Sequence, residues 1–239
     1  MTPEQTQEIL ALRIQSLTPK EIARKLGLRP AEVTAIIRSD SEQSAQDRLD
    51  RGEMAPIYEC LIPDNFPDDR FLTLGEKRPK RSDSMDGTGG LTIVVVARKS
   101  RPGKLIVCNY LVDYYCLGVK NVIGPKQISE SEYPKFKEKC SLAFDNDLKT
   151  VTIEQAQAIV LSSLAYANSL ELSPHPDFTE AAKSHLGLWD EKLSIWCGDS
   201  DGKPLFIAGP NDFPAKTMGI LDRSVGKANY NFISPIGTR

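Results

Sequence analysis

Two helix starts with a single glycine between them constrain this chain more tightly than any other feature. Thr18-Pro19-Lys20-Glu21 offers an N-cap hydroxyl, a proline at the first helical position and a glutamate three residues after the cap. Together these satisfy the first free amides of a helix from both directions. That helix stops at Gly27, a residue free to take positive φ, and Pro30 opens the next, which runs to about Arg38. Thr2-Pro3-Glu4-Gln5 carries the same start signal for a first helix reaching about Ser16. Three short helices with tight turns follow from local chemistry alone.

The apolar residues of this segment are placed to bury against one another. Ile22, Leu26, Leu28, Val33 and Ile36 fall on the facing sides of the second and third helices. Ala23 sits where the two cross, and a larger side chain there pushes them apart. The stretch PKEIARKLGLRPAEVTAIIR resembles the helix-turn-helix of bacterial repressors and sigma-factor-like regulators, a resemblance confined to the first forty residues or so. It implies that the second helix of the unit lies in the major groove while the first crosses the backbone. On that reading Arg29, Glu32, Thr34, Ala35 and Arg38 are candidates for DNA contact, with Lys20, Arg24 and Lys25 as phosphate partners. Arg29 is favoured as a reader of guanine, because its fork can engage both acceptors of that base. Glu32 departs from a purely basic surface. It could accept from cytosine or support the helix N-terminus through the dipole.

Charge bears on this reading locally rather than globally. The whole chain of 239 residues has a net charge of -2, so it is not a general electrostatic adhesive for nucleic acid. Residues 1 to 39, however, hold six cations (Arg13, Lys20, Arg24, Lys25, Arg29, Arg38) against four acids (Glu4, Glu8, Glu21, Glu32), a balance of +2. A second basic set, Lys77, Arg78, Lys80, Arg81, Arg98, Lys99, Arg101 and Lys104, surrounds a hairpin and is either its solvated tip or a second nucleic-acid contact. One small helical unit engages few phosphates, so homodimerisation through the larger C-terminal part is expected.

From Ser39 to Met54 the composition is polar and acidic, which suits a linker with at most a short helix over 45–50. The expected organisation is a module at 1–39, a linker at 40–55 and a domain at 56–239. In that domain LTIVVVA at 91–97 and the apolar run from Lys104 to Cys116 predict a hairpin across Pro102-Gly103. Residues 77–90 read as a loop in which Gly87 to Gly90 form a turn, lacking the lysine and preceding strand of a phosphate loop. Thr152 to Leu170 predicts a long helix, Phe178 to His185 a short one with Asp177 as its cap, and 214–224 another. Leu193 to Cys197 and Pro204 to Ala208 predict a second hairpin, and the tail from Asn229 reads as irregular. Strands and helices do not alternate strictly, so the fold class is α+β.

No cofactor, metal or catalytic group is expected. Cys60, Cys108, Cys116, Cys140 and Cys197 are odd in number and form no C-x-x-C pair, so they read as reduced, mostly buried thiols. Asp113, His175, Asp177 and His185 are the candidates for a metal or acid–base site, and Asp113, Glu154, His175 or Asp177 for a nuclease-like one, but none has a metal-binding spacing. The phrases VDYYCLGVKN (112–121), SPHPDF (173–178) and GKPLFIAGPND (202–212) are similar to ones in uncharacterised bacterial proteins, a resemblance that implies no activity. The N-terminus has no signal-peptide pattern and no apolar stretch of membrane length, which points to the cytoplasm. The expected function is that of a DNA-binding transcriptional regulator with double-stranded DNA as its partner. A DNA-targeted nuclease and a protein-interaction scaffold are the competing readings, and an effector or protein partner of the second domain stays open.

Overall fold

A computed structural model describes residues 2–15, 17–37, 39–40, 54–78, 89–210 and 212–233. The linker over 41–53, including the short helix expected at 45–50, lies outside the described residues, as do Arg38, Lys80 and Arg81. The chain divides into two compact units. One comprises Met1–Pro56 with Lys99–Lys104, the other Ile57–Arg98 with Leu105–Arg239.

The first unit carries α1 (Pro3–Ile14), α2 (Pro19–Leu26) and α3 (residues 30–37). Both expected capping boxes form. The Thr2 hydroxyl accepts from the Gln5 amide at 3.3 Å while the Gln5 side chain accepts from the Thr2 amide at 3.1 Å. Thr18 and Glu21 repeat the exchange at 3.3 and 2.8 Å. Gly27 ends α2 in the left-handed region, at φ 66° and ψ 28°. Ile9, Leu12, Ile22, Ala23 and Val33 form the core, with Leu17, Leu26, Leu28, Ile36 and Ile37 half-buried around it. α1 ends at Ile14, two residues short of the expected Ser16.

The second unit is built on a five-stranded antiparallel sheet of order β5-β4-β3-β1-β6, made of β1 (Ile57–Pro63), β3 (Leu91–Arg101), β4 (Lys104–Asp113), β5 (Gly118–Ser129) and β6 (Leu148–Val151), the Lys99–Lys104 tip of β3 and β4 being grouped with the first unit. The expected hairpin is β3 and β4, joined by Pro102-Gly103 with Gly103 at φ 71°. Proline followed by a positive-φ glycine is the signature of a type II turn. On one face, Val94, Val96, Cys108, Tyr110 and Val112 pack under α5 (Ile153–Ser169) and α6 (Glu180–Leu186). On the other, Ile93, Val95, Ala97, Leu105 and Val107 pack under α4 (Tyr133–Phe144). Both faces are covered, and this is why Ile93 to Ala97 is continuously apolar instead of alternating.

Several local expectations change here. β4 stops at Asp113 instead of Cys116, because the Asp113 carboxylate accepts from the amides of Tyr115 and Cys116, both at 2.9 Å, and folds 114–117 into a turn. The 193–197 and 204–208 segments do not form a hairpin. β7 (Leu193–Ile195) pairs antiparallel with β2 (Phe71–Thr73), whereas β8 (Leu205–Ile207) pairs parallel with β9 (Asn231–Ile233), a strand in the tail expected to be irregular. The cap of α6 is Thr179, whose hydroxyl accepts from the Ala182 amide at 3.3 Å, and not Asp177. The long helix α5 starts as expected at Thr152, through a capping box with Gln155.

Candidate nucleic-acid interface

The two apolar faces of α2 and α3 are spent on the core, which fixes what the module shows to solvent. Ile22, Ala23 and Val33 are buried, so Lys20, Arg24 and Lys25 on α2 and Thr34 and Ala35 on α3 point outward and are exposed. Arg29, just before α3, has a side chain 82% exposed. Every described cation assigned to DNA contact therefore stands on the surface. The acids of the same stretch are tied down. Glu21 caps α2, and its carboxyl is held below the usual range first by the Thr18 hydroxyl and then by the Thr18 amide.

Glu32 does more than favour a helix dipole. It is the third residue of α3, one oxygen accepts from the Arg29 amide at 3.1 Å, and the other meets the Arg29 guanidinium at 2.6 Å. The guanidinium hydrogen bond is the main reason that the Glu32 carboxyl lies below its usual range. Thr34 donates its hydroxyl to the Pro30 carbonyl at 2.8 Å, one turn back.

The second basic set is not uniformly exposed among the described residues. Arg98 is buried, donating from Nε to the His185 carbonyl at 2.8 Å and from Nη2 to the Leu186 carbonyl at 3.2 Å, so it closes the C-terminal end of α6 and is withdrawn from phosphate. Arg78 lies over the Trp196 ring at 4.6 Å and donates to the Asp199 carbonyl. Lys77 and Lys99 are exposed, and Arg101 and Lys104 are half-buried. As a continuous second contact the set is corrected at Arg78 and Arg98, whose hydrogen bonds are made within the fold.

Compared with known protein families, curated proteins and solved structures, the chain matches none. Its chemistry has to be read from its own residues.

Two of the acid–base candidates of the second unit, Asp113 and His185, are buried and bonded within the fold, and the other three are exposed. Asp113 is buried beneath the turn it organises, and burial pushes its carboxyl up to about 6 against the opposing pull of Lys120 and the turn amides. His185 is buried with Nε2 3.1 Å from the Val96 carbonyl, and burial brings its pKa down to about 4. His175 and Asp177 face each other at 3.6 Å on the surface, and Glu154 is exposed in the first turn of α5. Among the described residues, no group of three or more His, Cys, Asp or Glu is placed to hold a metal ion. All five cysteines are free, and Cys197 alone is only partly shielded. Burial raises each thiol, Cys60 and Cys108 to about 11 and Cys197 to about 12, which leaves no thiolate nucleophile near neutral pH.

The three phrases 112–121, 173–178 and 202–212 meet around the 114–117 turn. The Leu205 amide donates to the Tyr115 carbonyl at 3.2 Å, the His175 amide to the Val119 carbonyl at 2.9 Å, and Lys120 pairs with Asp212 at 2.8 Å. Beneath them lies Arg70, only 1% exposed, its guanidinium 3.8 Å from the Trp196 ring centre and 4.4 Å from that of Tyr114, donating to the Trp196 carbonyl at 3.1 Å. Sequence reasoning missed Arg70, since a lone arginine between two aspartates and a phenylalanine gives no sign of burial. The turn expected at Gly87 to Gly90 lies partly outside the described residues, and at its end Gly90, at φ 79°, sits where any Cβ collides with the Tyr115 ring.

Among the described residues no helix is long and apolar enough to cross a membrane.

Proposed function

We propose that the chain is a sequence-specific DNA-binding protein acting as a transcriptional regulator, with α2, its turn and α3 as a helix-turn-helix that engages double-stranded DNA. One observation carries the reading. On α2 and α3, whose apolar side chains pack into or around the module core, Lys20, Arg24, Lys25 and Arg29 are all exposed, while Glu21 and Glu32 are engaged at helix starts. With Glu21 spent on its cap and Glu32 paired with Arg29, Lys20, Arg24 and Lys25 leave an outward basic face suited to phosphates, with Arg29 at its edge for base edges. The second unit, with both faces of its sheet covered, supplies the mass for dimerisation or for sensing an effector.

The test is retention on random duplex fragments across a salt series, with the intact chain throughout. Lys20→Ala, Arg24→Ala and Lys25→Ala combined should lower the slope of log affinity against log salt by about 2 to 3, since each phosphate engaged contributes roughly 0.9. Lys135→Ala with Lys139→Ala, exposed on α4 of the second unit, should leave that slope unchanged. Equal retention by wild type and the triple variant would transfer the contact away from α2, and absence of retention at low salt would favour a protein partner for the module.

A further inference from the structure

We infer that Glu32 is a positioning residue for Arg29, and that the two work as one element whose partner is a guanine-containing step of duplex DNA. The inference rests on the DNA-binding reading of the module. Both carboxylate oxygens of Glu32 are engaged by one residue, Oε1 by the Arg29 guanidinium at 2.6 Å and Oε2 by its backbone amide at 3.1 Å. Two bonds to the same residue fix the carboxylate against the start of α3, and the fixed carboxylate in turn holds the guanidinium. Without it, a side chain 82% exposed samples many rotamers and must surrender that freedom on binding. A guanidinium has five N–H donors, and Glu32 takes only one nitrogen, Nη2. The remaining donors keep the fork that matches the O6 and N7 acceptors of guanine.

The same carboxylate has a second effect. It places negative charge beside the fork, where the acceptors of guanine and thymine are repelled unless Arg29 itself covers them, while the amino group of cytosine is not. Glu32 thus trades general affinity for discrimination. It weakens attraction to phosphates everywhere and sharpens the choice at the base that Arg29 meets. This differs from direct reading by Glu32, in which its oxygens would be free for cytosine, and from a purely structural cap, which affects folding and no base preference.

The experiment selects bound duplexes from a randomised library with the intact chain, then compares wild type, Glu32→Gln, Glu32→Ala, Arg29→Ala and the Arg29→Ala/Glu32→Ala double variant on the selected site and its single-base changes. Glu32→Gln keeps the shape and an acceptor for the Arg29 amide, and circular dichroism confirms that its helices are retained. Arg29→Ala should abolish discrimination at one base pair, a loss of roughly tenfold or more. Both Glu32 variants should bind all duplexes more tightly yet lose at least about threefold of discrimination at that same base pair. In the Arg29→Ala background, removing Glu32 should change no base preference. If the Glu32 variants gain affinity uniformly and keep full discrimination, bulk charge is the only role of Glu32 and the positioning assignment fails while DNA binding stands. If the wild-type chain retains no duplex at all, the DNA reading fails and the assignment falls with it.

Discussion

Replacing Gly27 isolates a backbone requirement from every other contribution to the N-terminal module. The residue sits at φ 66° and ψ 28°, and a Cβ built there meets nothing within 4 Å. A substitution therefore creates no collision, and its cost is that of holding an L-residue in the left-handed region, about 1–2 kcal/mol. Alanine also reduces the freedom of the unfolded chain, which returns about 0.4–1 kcal/mol. Gly27→Ala should thus destabilise the module by about 1 kcal/mol net, roughly a fivefold fall in its folded-to-unfolded ratio. Gly27→Asn should cost less, because asparagine visits this region readily, and Gly27→Val more, because β-branching makes it an outlier there. Amide hydrogen exchange reads the effect where it occurs. Exchange in α2 and α3 should accelerate in the order Asn, Ala, Val, while the amides of the β3–β4 core stay unchanged. Among the described residues the module core holds five buried apolar side chains, so a loss of this size should be measurable. A Gly27→Ala protein as protected as wild type, or an inverted order, would refute the left-handed turn as what joins the two helices.

Two further outcomes concern the second unit. Arg98→Ala should lower stability by about 1–3 kcal/mol in urea denaturation, because the His185 and Leu186 carbonyls lose a buried donor, and should leave the salt dependence of DNA retention untouched; a changed salt slope would return Arg98 to the nucleic-acid contact. The buried pair His185 and Asp113 should give opposing pH dependences. The pKa of His185 is depressed in the fold to about 4, so its unfolded form takes up protons first and stability is lost as pH falls from 6.5 towards 4, by up to about 3 kcal/mol. That of Asp113 is raised to about 6, so the fold takes up its proton first and stability is gained as pH falls from 6 towards the ordinary value of 3.8, by a similar amount of about 3 kcal/mol. Between pH 6 and 4 the two offset. His185→Gln should therefore unmask a rise in urea midpoint towards acid and Asp113→Asn a fall, and identical profiles for the two variants would contradict both burials.

The residues that announce themselves in this sequence do so over three or four positions. Thr2 with Gln5, Thr18 with Glu21 and Thr152 with Gln155 specify their helix starts because both partners of each capping box lie within one turn. Gly27 and Pro102-Gly103 specify their turns for the same reason, and the 91–97 run marks a strand because β-branched residues cluster there. The α+β class and the outward cations of α2 follow from such local signals. What the sequence left open depends on partners far along the chain. β5 escaped detection because it carries Pro125, tolerable in a strand that forms the edge of its sheet, and edge position is known only once β4 lies on the other side. β7 and β8 have the pattern of a hairpin, yet each finds a distant strand, β2 and β9, that lets it bury its apolar side chains. Arg98 and Arg70 look like surface charge by composition. They are buried because carbonyls 87 and 126 residues away, and aromatic rings from two other loops, arrive to satisfy them. Caps, turns and propensity are short-range quantities that a sequence determines by itself, whereas burial and strand partnership are decided only when the whole chain competes for the same core.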